Sequence, residues 1–181
     1  MEYIDVVDKD TWENTGISKP ISEIHKNGDW HNTIHAWLIN SKNEILIQRR
    51  SRDKVNFPNC WDVTVGGHIS SGENTINGAI REIKEEVGVD VAPDELEMIG
   101  KTSHEVVLAN GTYLDNEKVT VYVVKNNFDI SQFKIQEEEV EEVRWISALE
   151  FKKWVKEKRD NLTPNWEEYA ILLEYLMKNI K

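Results

Sequence analysis

Hydrophobic positions in this chain repeat with two periods. From Thr33 to Ile39 and from Ile45 to Arg49, apolar and β-branched residues cluster in short runs. Asn40-Ser41-Lys42-Asn43 separates them, which predicts two strands joined by a hairpin turn. A strand-like piece, Tyr3 to Val7, precedes them, followed by a polar stretch holding Gly16, Pro20 and Gly28. Beyond a loop through Phe57-Pro58-Asn59, the run Asp62–Val65 reads as a third strand, stopped by Gly66-Gly67. Leu96–Leu108, Val119–Val124 and Glu142–Ile146 read as further strands, and Asn110-Gly111 makes a hairpin of the first two.

The second period is helical. Ile76, Ala79, Ile80, Ile83 and Val87 form one apolar stripe from about Asn74 to Val87, with Asn74 placed to cap its start and Gly88 its end. Gly78 lies inside this helix, where glycine costs ~1 kcal/mol relative to alanine, so Gly78→Ala is expected to stabilise the fold. Ser147 can cap a helix to about Arg159 with Phe151, Trp154 and Val155 on one face. Thr163-Pro164 supplies a cap and a first-turn proline for a last helix carrying Tyr169, Leu172, Leu173 and Leu176. Strands interspersed with three helices predict an α/β fold, a mixed sheet flanked by helices. A single domain is expected over residues 1–181, with a core at about 31–150, an N-terminal extension at 1–30 and C-terminal helices at about 147–180.

Charge narrows the function. Lys plus Arg is 22 against 33 Asp plus Glu, a formal net charge of −11, which argues against a protein that grips nucleic-acid backbone. An anionic substrate stays open, because carboxylates can bind one through divalent cations. The single cysteine, Cys60, excludes an internal disulfide and a cysteine-based zinc site, and reads as a small buried hydrophobe. The start, Met1-Glu2-Tyr3-Ile4-Asp5, has no signal-peptide character, and no run approaches the ~18 apolar residues of a membrane span. A cytoplasmic protein with no membrane or nucleic-acid partner is expected; oligomeric state is not legible.

The chemistry concentrates between Gly67 and Val89. Glu82, Glu85 and Glu86 fall within about 100° of one another on the helix, set opposite the apolar stripe. Such bunching is destabilising, by ~0.2–0.5 kcal/mol per like-charged pair at i,i+4, with Arg81 offsetting part of it. A solvated acidic face is one reading; a site for Mg²⁺ or Mn²⁺ is the other. The preceding glycines favour the second, since they let backbone approach a ligand closely. Gly67, Glu73, Arg81-Glu82-Ile83, Glu85-Glu86 and Gly88-Val89 together meet every specified position of the pattern G-x5-E-x7-R-E-U-x-E-E-x-G-U, U being a bulky aliphatic. A chance match has a probability on the order of 10⁻⁷. The stretch resembles the box of the Nudix superfamily.

That resemblance implies an α/β/α sandwich and metal-dependent hydrolysis of a small-molecule diphosphate, such as a nucleoside diphosphate derivative. By the same resemblance Glu85 and Glu86 are the principal metal ligands, and Glu82 is a third ligand or a base that orients water. The carbonyl of Gly66 or Gly67 is the backbone ligand, while Arg81 and Glu73 orient the carboxylates. The catalytic base is not fixed to one position in the superfamily; Glu138, in the acidic run Glu137 to Glu142, can supply it.

Segments outside the box resemble isopentenyl-diphosphate isomerases, which share the Nudix fold: Trp37-Leu38-Ile39-Asn40, Gln48-Arg49-Arg50-Ser51, Phe57-Pro58-Asn59-Cys60-Trp61 and Val65-Gly66-Gly67-His68. This implies a second metal site of His25, His31 and His68 with Asp115 and Glu117. The isomerases' catalytic cysteine, however, falls at Gly66, and their box is usually degenerate where this one is complete. Isomerisation and nucleotide sensing without turnover are therefore the alternatives to hydrolysis. His35 and His104 read as hydrogen-bonded structural residues; Trp30 or Trp61 is a candidate for stacking on a base.

Overall fold

The computed structural model describes residues 2–179. Strands β1 (Tyr3–Val7) and β2 (Asn14–Pro20) form a hairpin, and helix α1 (Ile21–Asn27) leads into β3 (His31–Ile39) and β4 (Glu44–Arg50). Two short strands, β5 (Trp61–Asp62) and β6 (Val65–His68), precede helix α2 (Thr75–Val87). The long hairpin β7 (Leu96–Leu108) and β8 (Tyr113–Lys125) comes next, then β9 (Val140–Ser147), α3 (Ala148–Glu157) and α4 (Trp166–Asn179). Residue 180, the expected end of the last helix, lies outside the described residues. Among the described residues no helix is long and apolar enough to cross a membrane.

Strand β3 is the axis of the sheet. It runs parallel to β8 with His31 opposite Glu117, and antiparallel to β6 with Thr33 opposite His68. Alternation along β3 feeds two cores. Ile34, Ala36 and Leu38 pack with Val65, Ala79, Ile83 and Val87 under α2, while Trp37 and Ile39 pack with Phe151, Trp154, Tyr169 and Leu172 under α3 and α4. The result is the expected α/β/α sandwich.

The Asn40–Asn43 turn closes as its composition dictates: Asn40 Oδ1 accepts the N–H groups of Lys42 and Glu44 at 2.9 and 3.0 Å. Asn43 occupies the left-handed region at φ 58°. β3 and β4 nevertheless pair only at Ile39 and Ile45, then splay. The run expected as one strand, Asp62–Val65, is split for that reason. β5 pairs with β4 and β6 with β3, and Thr64 crosses the gap, its hydroxyl accepting from Leu38 N at 3.1 Å and donating to the Leu46 carbonyl. Gly66-Gly67 does not stop a strand; both residues lie inside β6.

Three other elements differ from expectation. The polar stretch after Val7 forms β2 and α1, the latter ended by Gly28 at φ 70°. α4 begins at Trp166, with Tyr169 N donating to the Asn165 carbonyl, so Pro164 lies outside it. Thr163 is not its cap; the hydroxyl instead meets Asp62 Oδ1 at 2.7 Å and the Tyr169 hydroxyl at 2.6 Å. Gly78 packs against Ile69: a Cβ there would overlap Ile69 Cδ1, so the buried isoleucine must shift to admit alanine, a cost set against the expected gain.

Candidate active site and metal centre

Helix α2 carries the box residues as its caps direct. Asn74 Oδ1 accepts Asn77 N at 2.9 Å, and Gly88 N closes the far end on the Lys84 carbonyl at 3.2 Å. Arg81 is the hub. Its guanidinium donates to Glu73 Oε2 at 3.0 Å, Glu82 Oε1 at 2.7 Å, Glu85 Oε2 at 3.1 Å and the His68 carbonyl at 2.9 Å. One cation thus ties three carboxylates to the end of β6.

The three helix glutamates do not share one solvated face. The Glu85 side chain is half-exposed, that of Glu82 mostly covered, and Glu86 is buried among the packed residues of α2. Ile76, at one end of the expected stripe, is exposed instead. The helix is therefore rotated toward its acidic side. Burial lifts the Glu82 carboxyl to about 7 against the pull of Arg81. Burial, then the charges of Glu82 and Glu139, lifts Glu86 to about 8. Gln48 Nε2 is the hydrogen-bond donor to Glu86, at 3.4 Å. Two confined carboxyls without a cationic partner in hydrogen-bond contact at Glu86 make a place where a divalent ion relieves both desolvation and repulsion.

Gly67 gives this group its room, since a Cβ there would stand 2.5 Å from Glu82 Cγ. The acidic loop reaches the same place because Lys134 N and Gln136 N donate to the carbonyls of Val87 and Glu86 at 2.9 Å each. Glu138 is exposed on the loop and lines the cleft; Glu139, ion-paired with Lys54, is the member whose charge reaches Glu86.

A second cluster lies across β6. The rings of His25, His31 and His68 stand 5.1 to 5.3 Å apart, and each Nε2 is buried without a hydrogen-bond partner. His31 Nδ1 is 3.0 Å from the Asp29 carbonyl, and His25 Nδ1 3.4 Å from that of Leu114. Those Nδ1 atoms carry the protons, which leaves the Nε2 lone pairs facing one another. Ligand atoms of the three histidines lie within 4.8 Å of one another, as do those of His31, Asp115 and Glu117. Burial, then the neighbouring histidines, push His68 down to about 3. Burial and the Asp115 charge push Glu117 up to about 8. Imidazoles whose unpartnered Nε2 atoms converge beside carboxylates are a donor set that fits a divalent transition ion.

Beside the second group opens a cleft of about 630 Å³, lined by Gly66, Gly67, His68, Asp115 and Glu117 and, from the acidic loop, by Glu138 and Glu139. His35 and His104 also line it. His35 is buried with Nδ1 2.5 Å from Glu168 Oε2, and Glu168 Oε1 accepts Trp37 Nε1 at 2.7 Å. Burial alone would lower the His35 pKa; the Glu168 carboxylate outweighs it and raises it to about 9.

Other residues fall elsewhere than expected. Cys60 is only half-buried and precedes β5. Trp61 packs between Arg144 and Trp154, and Trp30 against Lys118. The aromatics of the cleft are Phe57, Tyr113 and Trp166, none of which has a spacing signal in the sequence. Glu139 and Glu168 also lack one; an acidic run is the only local trace of the first.

Comparison with known proteins places this geometry. Residues 29–166 match the profile of the NUDIX domain. Nudix hydrolase 3 of Arabidopsis thaliana is 35% identical over 177 residues, 96% of this chain, which spans only 22% of that longer relative. An uncharacterised Nudix hydrolase of Clostridium acetobutylicum is 33% identical over 89% of this chain and 77% of its own. Isopentenyl-diphosphate Delta-isomerase of Shigella boydii is 30% identical over 66% of this chain and 63% of its own. The crystal structure of DR0079 from Deinococcus radiodurans superposes with a TM-score of 0.71 at 20% identity, covering 99% of this chain and 100% of that one.

Proposed function

Because the chain belongs to the Nudix family, we propose that it hydrolyses the diphosphate linkage of a nucleoside diphosphate derivative or another organic diphosphate, using Mg²⁺ or Mn²⁺. The observation that carries this is the buried Glu86 beside Glu82, held on a helix whose Arg81 hub ties it to the glycine strand. A cation held by Glu82, Glu85, Glu86 and the Gly67 carbonyl would neutralise the diphosphate and act as a Lewis acid toward water.

The chain's own residues then have distinct roles. Arg81 and Glu73 fix the carboxylates, so little reorganisation accompanies reaction. Water oxygen forms a new bond to one phosphorus while the bond from that phosphorus to the bridging oxygen breaks, the bridging oxygen leaving with the electron pair on the other phosphate. The proton released by water goes to Glu138, exposed in the cleft, or to Glu82 where Glu85, Glu86 and the Gly67 carbonyl alone hold the cation. His25, His31, His68, Asp115 and Glu117 would hold a second ion.

That second cluster also favours an isomerase reading, but an isomerase needs an acid where Gly66 has no side chain. The experiment is a screen of nucleotide sugars, dinucleoside polyphosphates, coenzyme A and nucleoside di- and triphosphates with Mg²⁺ or Mn²⁺ in ¹⁸O-water, read by phosphorus NMR. Metal-dependent release of a phosphate species carrying ¹⁸O is expected; its absence across the panel sinks the proposal. Comparing Glu82→Gln with Glu138→Gln identifies the proton acceptor by the loss of kcat. Isopentenyl diphosphate incubated in deuterated water should take up no deuterium, and uptake lost on mutating Glu117 would establish isomerisation instead. Nucleotide binding with no turnover would mark a sensor.

A further inference from the structure

Strand β3 presents His31 to the histidine cluster and His35 to the cleft, and the hydrolysis described above gives His35 no part. Its ring is held from behind. Glu168 is fully buried, with one oxygen against His35 Nδ1 and the other accepting the Trp37 indole N–H. A carboxylate so deeply buried requires a positive partner, and His35 is the ionisable group in contact with it. With Nδ1–H spent on Glu168, the imidazolium has one donor left, Nε2–H, for which the described residues provide no hydrogen-bond partner.

The open edge of the ring lies against the glycine strand. A Cβ built on Gly66 would fall 2.9 Å from His35 Cδ2 and 3.1 Å from Nε2. One residue on, a Cβ at Gly67 would run into Glu82 on the opposite face of β6. The two missing side chains therefore serve two neighbours: Gly67 makes room for the carboxylate group and Gly66 for the imidazole. An anion in the cleft that His35, Gly66 and Gly67 line would meet a fixed donor from the β3 side as well as any cation held on the α2 side.

We propose that His35, clamped by Glu168 and Trp37, binds the substrate by donating a hydrogen bond from Nε2 to a phosphate oxygen alongside Gly66. Glu168 is the positioning residue behind it. The inference rests on reading the cleft as a diphosphate site, and its test separates the two.

The probe is methylenediphosphonate, whose P–C–P bridge resists hydrolysis, titrated with Mg²⁺ into the full chain and followed by calorimetry. His35→Phe removes the donor and should weaken binding by about ten- to hundredfold, whereas His35→Gln, which keeps an N–H, should recover part of it. Since His35→Phe strands Glu168, the double variant His35→Phe/Glu168→Leu leaves no unpaired charge and should show the same loss. In the unchanged chain, the ¹⁵N resonance of His35 Nε2 should shift on adding the probe. Glu168→Gln should weaken binding and diminish that shift without unfolding the protein. Binding unchanged in the double variant, a His35 resonance that does not move, or no binding to the unchanged chain overturns the inference. If no diphosphate is hydrolysed while the probe still binds through His35, the hydrolase reading fails and this one stands. Hydrolysis with His35-independent binding upholds the hydrolase and removes the role of His35.

Discussion

Replacing Glu86 with glutamine tests the site at its most confined atom. Glu86 is 5% exposed, faces the charges of Glu82 and Glu139, and titrates near 8 rather than at its ordinary 4.5. Between those values the folded protein holds a proton that the unfolded chain has released. Stability therefore falls as pH rises through that window, by roughly 1.4 kcal/mol per pH unit at this one group. Below 4.5 both states are protonated and the cost vanishes; above 8 both are ionised and it is complete. At pH 7 it amounts to about 3 kcal/mol at most, worth roughly 2–4 °C of Tm per kcal/mol in a domain of this size.

Glutamine is nearly isosteric and carries no charge. Melting curves in EDTA at pH 4.5, 6 and 7.5 should coincide for Glu86→Gln and the unchanged protein at the lowest pH, then diverge, the variant melting several degrees higher at pH 7.5. Glu82, raised to about 7, and Glu117, raised to about 8, act with the same sign, so the difference between the curves reports Glu86 together with its repulsion by Glu82. Mg²⁺ should raise the melting temperature of the unchanged protein and not that of the variant, whose turnover should fall at least a hundredfold. A variant less stable than the unchanged protein at pH 7.5 without metal, or one with near-normal Mg²⁺-dependent hydrolysis, refutes the reasoning.

Glu85→Gln should abolish turnover equally but change metal-free stability by no more than about 0.5 kcal/mol, because the half-exposed Glu85 loses only a surface pair with Arg81. Gly67→Ala should cost about 1–3 kcal/mol and at least a tenfold drop in kcat, since the new methyl displaces Glu82; full activity would show that Glu82 has room to spare. Gly78→Ala should lower the melting temperature because overlap with buried Ile69 outweighs the ~1 kcal/mol gained in helix propensity, and a rise would restore the simple propensity argument. His31→Ala should lose divalent metal retained through gel filtration, measured by mass spectrometry, and equal metal content in both proteins would remove the histidine cluster as a metal centre.

What can be read from the sequence is what is encoded locally. α2 is legible with both caps, because Asn74, Gly88 and the spacing of Ala79, Ile83 and Val87 lie on one short segment. The burial of Glu86 is not, because it depends on the angle at which the helix meets the sheet. β2 and α1 leave no pattern, since β2 has little buried surface and α1 offers few apolar positions to show a period. The path of β6 depends on the splaying of β3 from β4, a tertiary event with no signature in Asp62 to Val65. Residues 25, 31, 68, 115 and 117 can be grouped only through resemblance to a family, since four separate elements bring them together. The bond between His35 and Glu168 spans 133 residues and has no trace in the sequence at all.

The splayed sheet has a mechanical meaning. One ribbon consists of β1, β2, β3, β6, β7 and β8, the other of β4, β5 and β9, and their ladder contact is the pair Ile39 and Ile45 beside the Asn40–Asn43 turn, with Thr64 bridging them. The cleft opens at the far end, with Gln48 and Arg50 on one jaw and His35 and Gly66 on the other. Its width therefore follows the angle between the ribbons, fixed where Ile39 pairs with Ile45 and where Thr64 bridges them. Both hydrophobic cores bridge the ribbons, Trp37 with Ile47 on one face and Leu38 with Leu46 on the other, so the grip on a substrate is a property of that packing, of Thr64 and of the hairpin as much as of the residues that touch it.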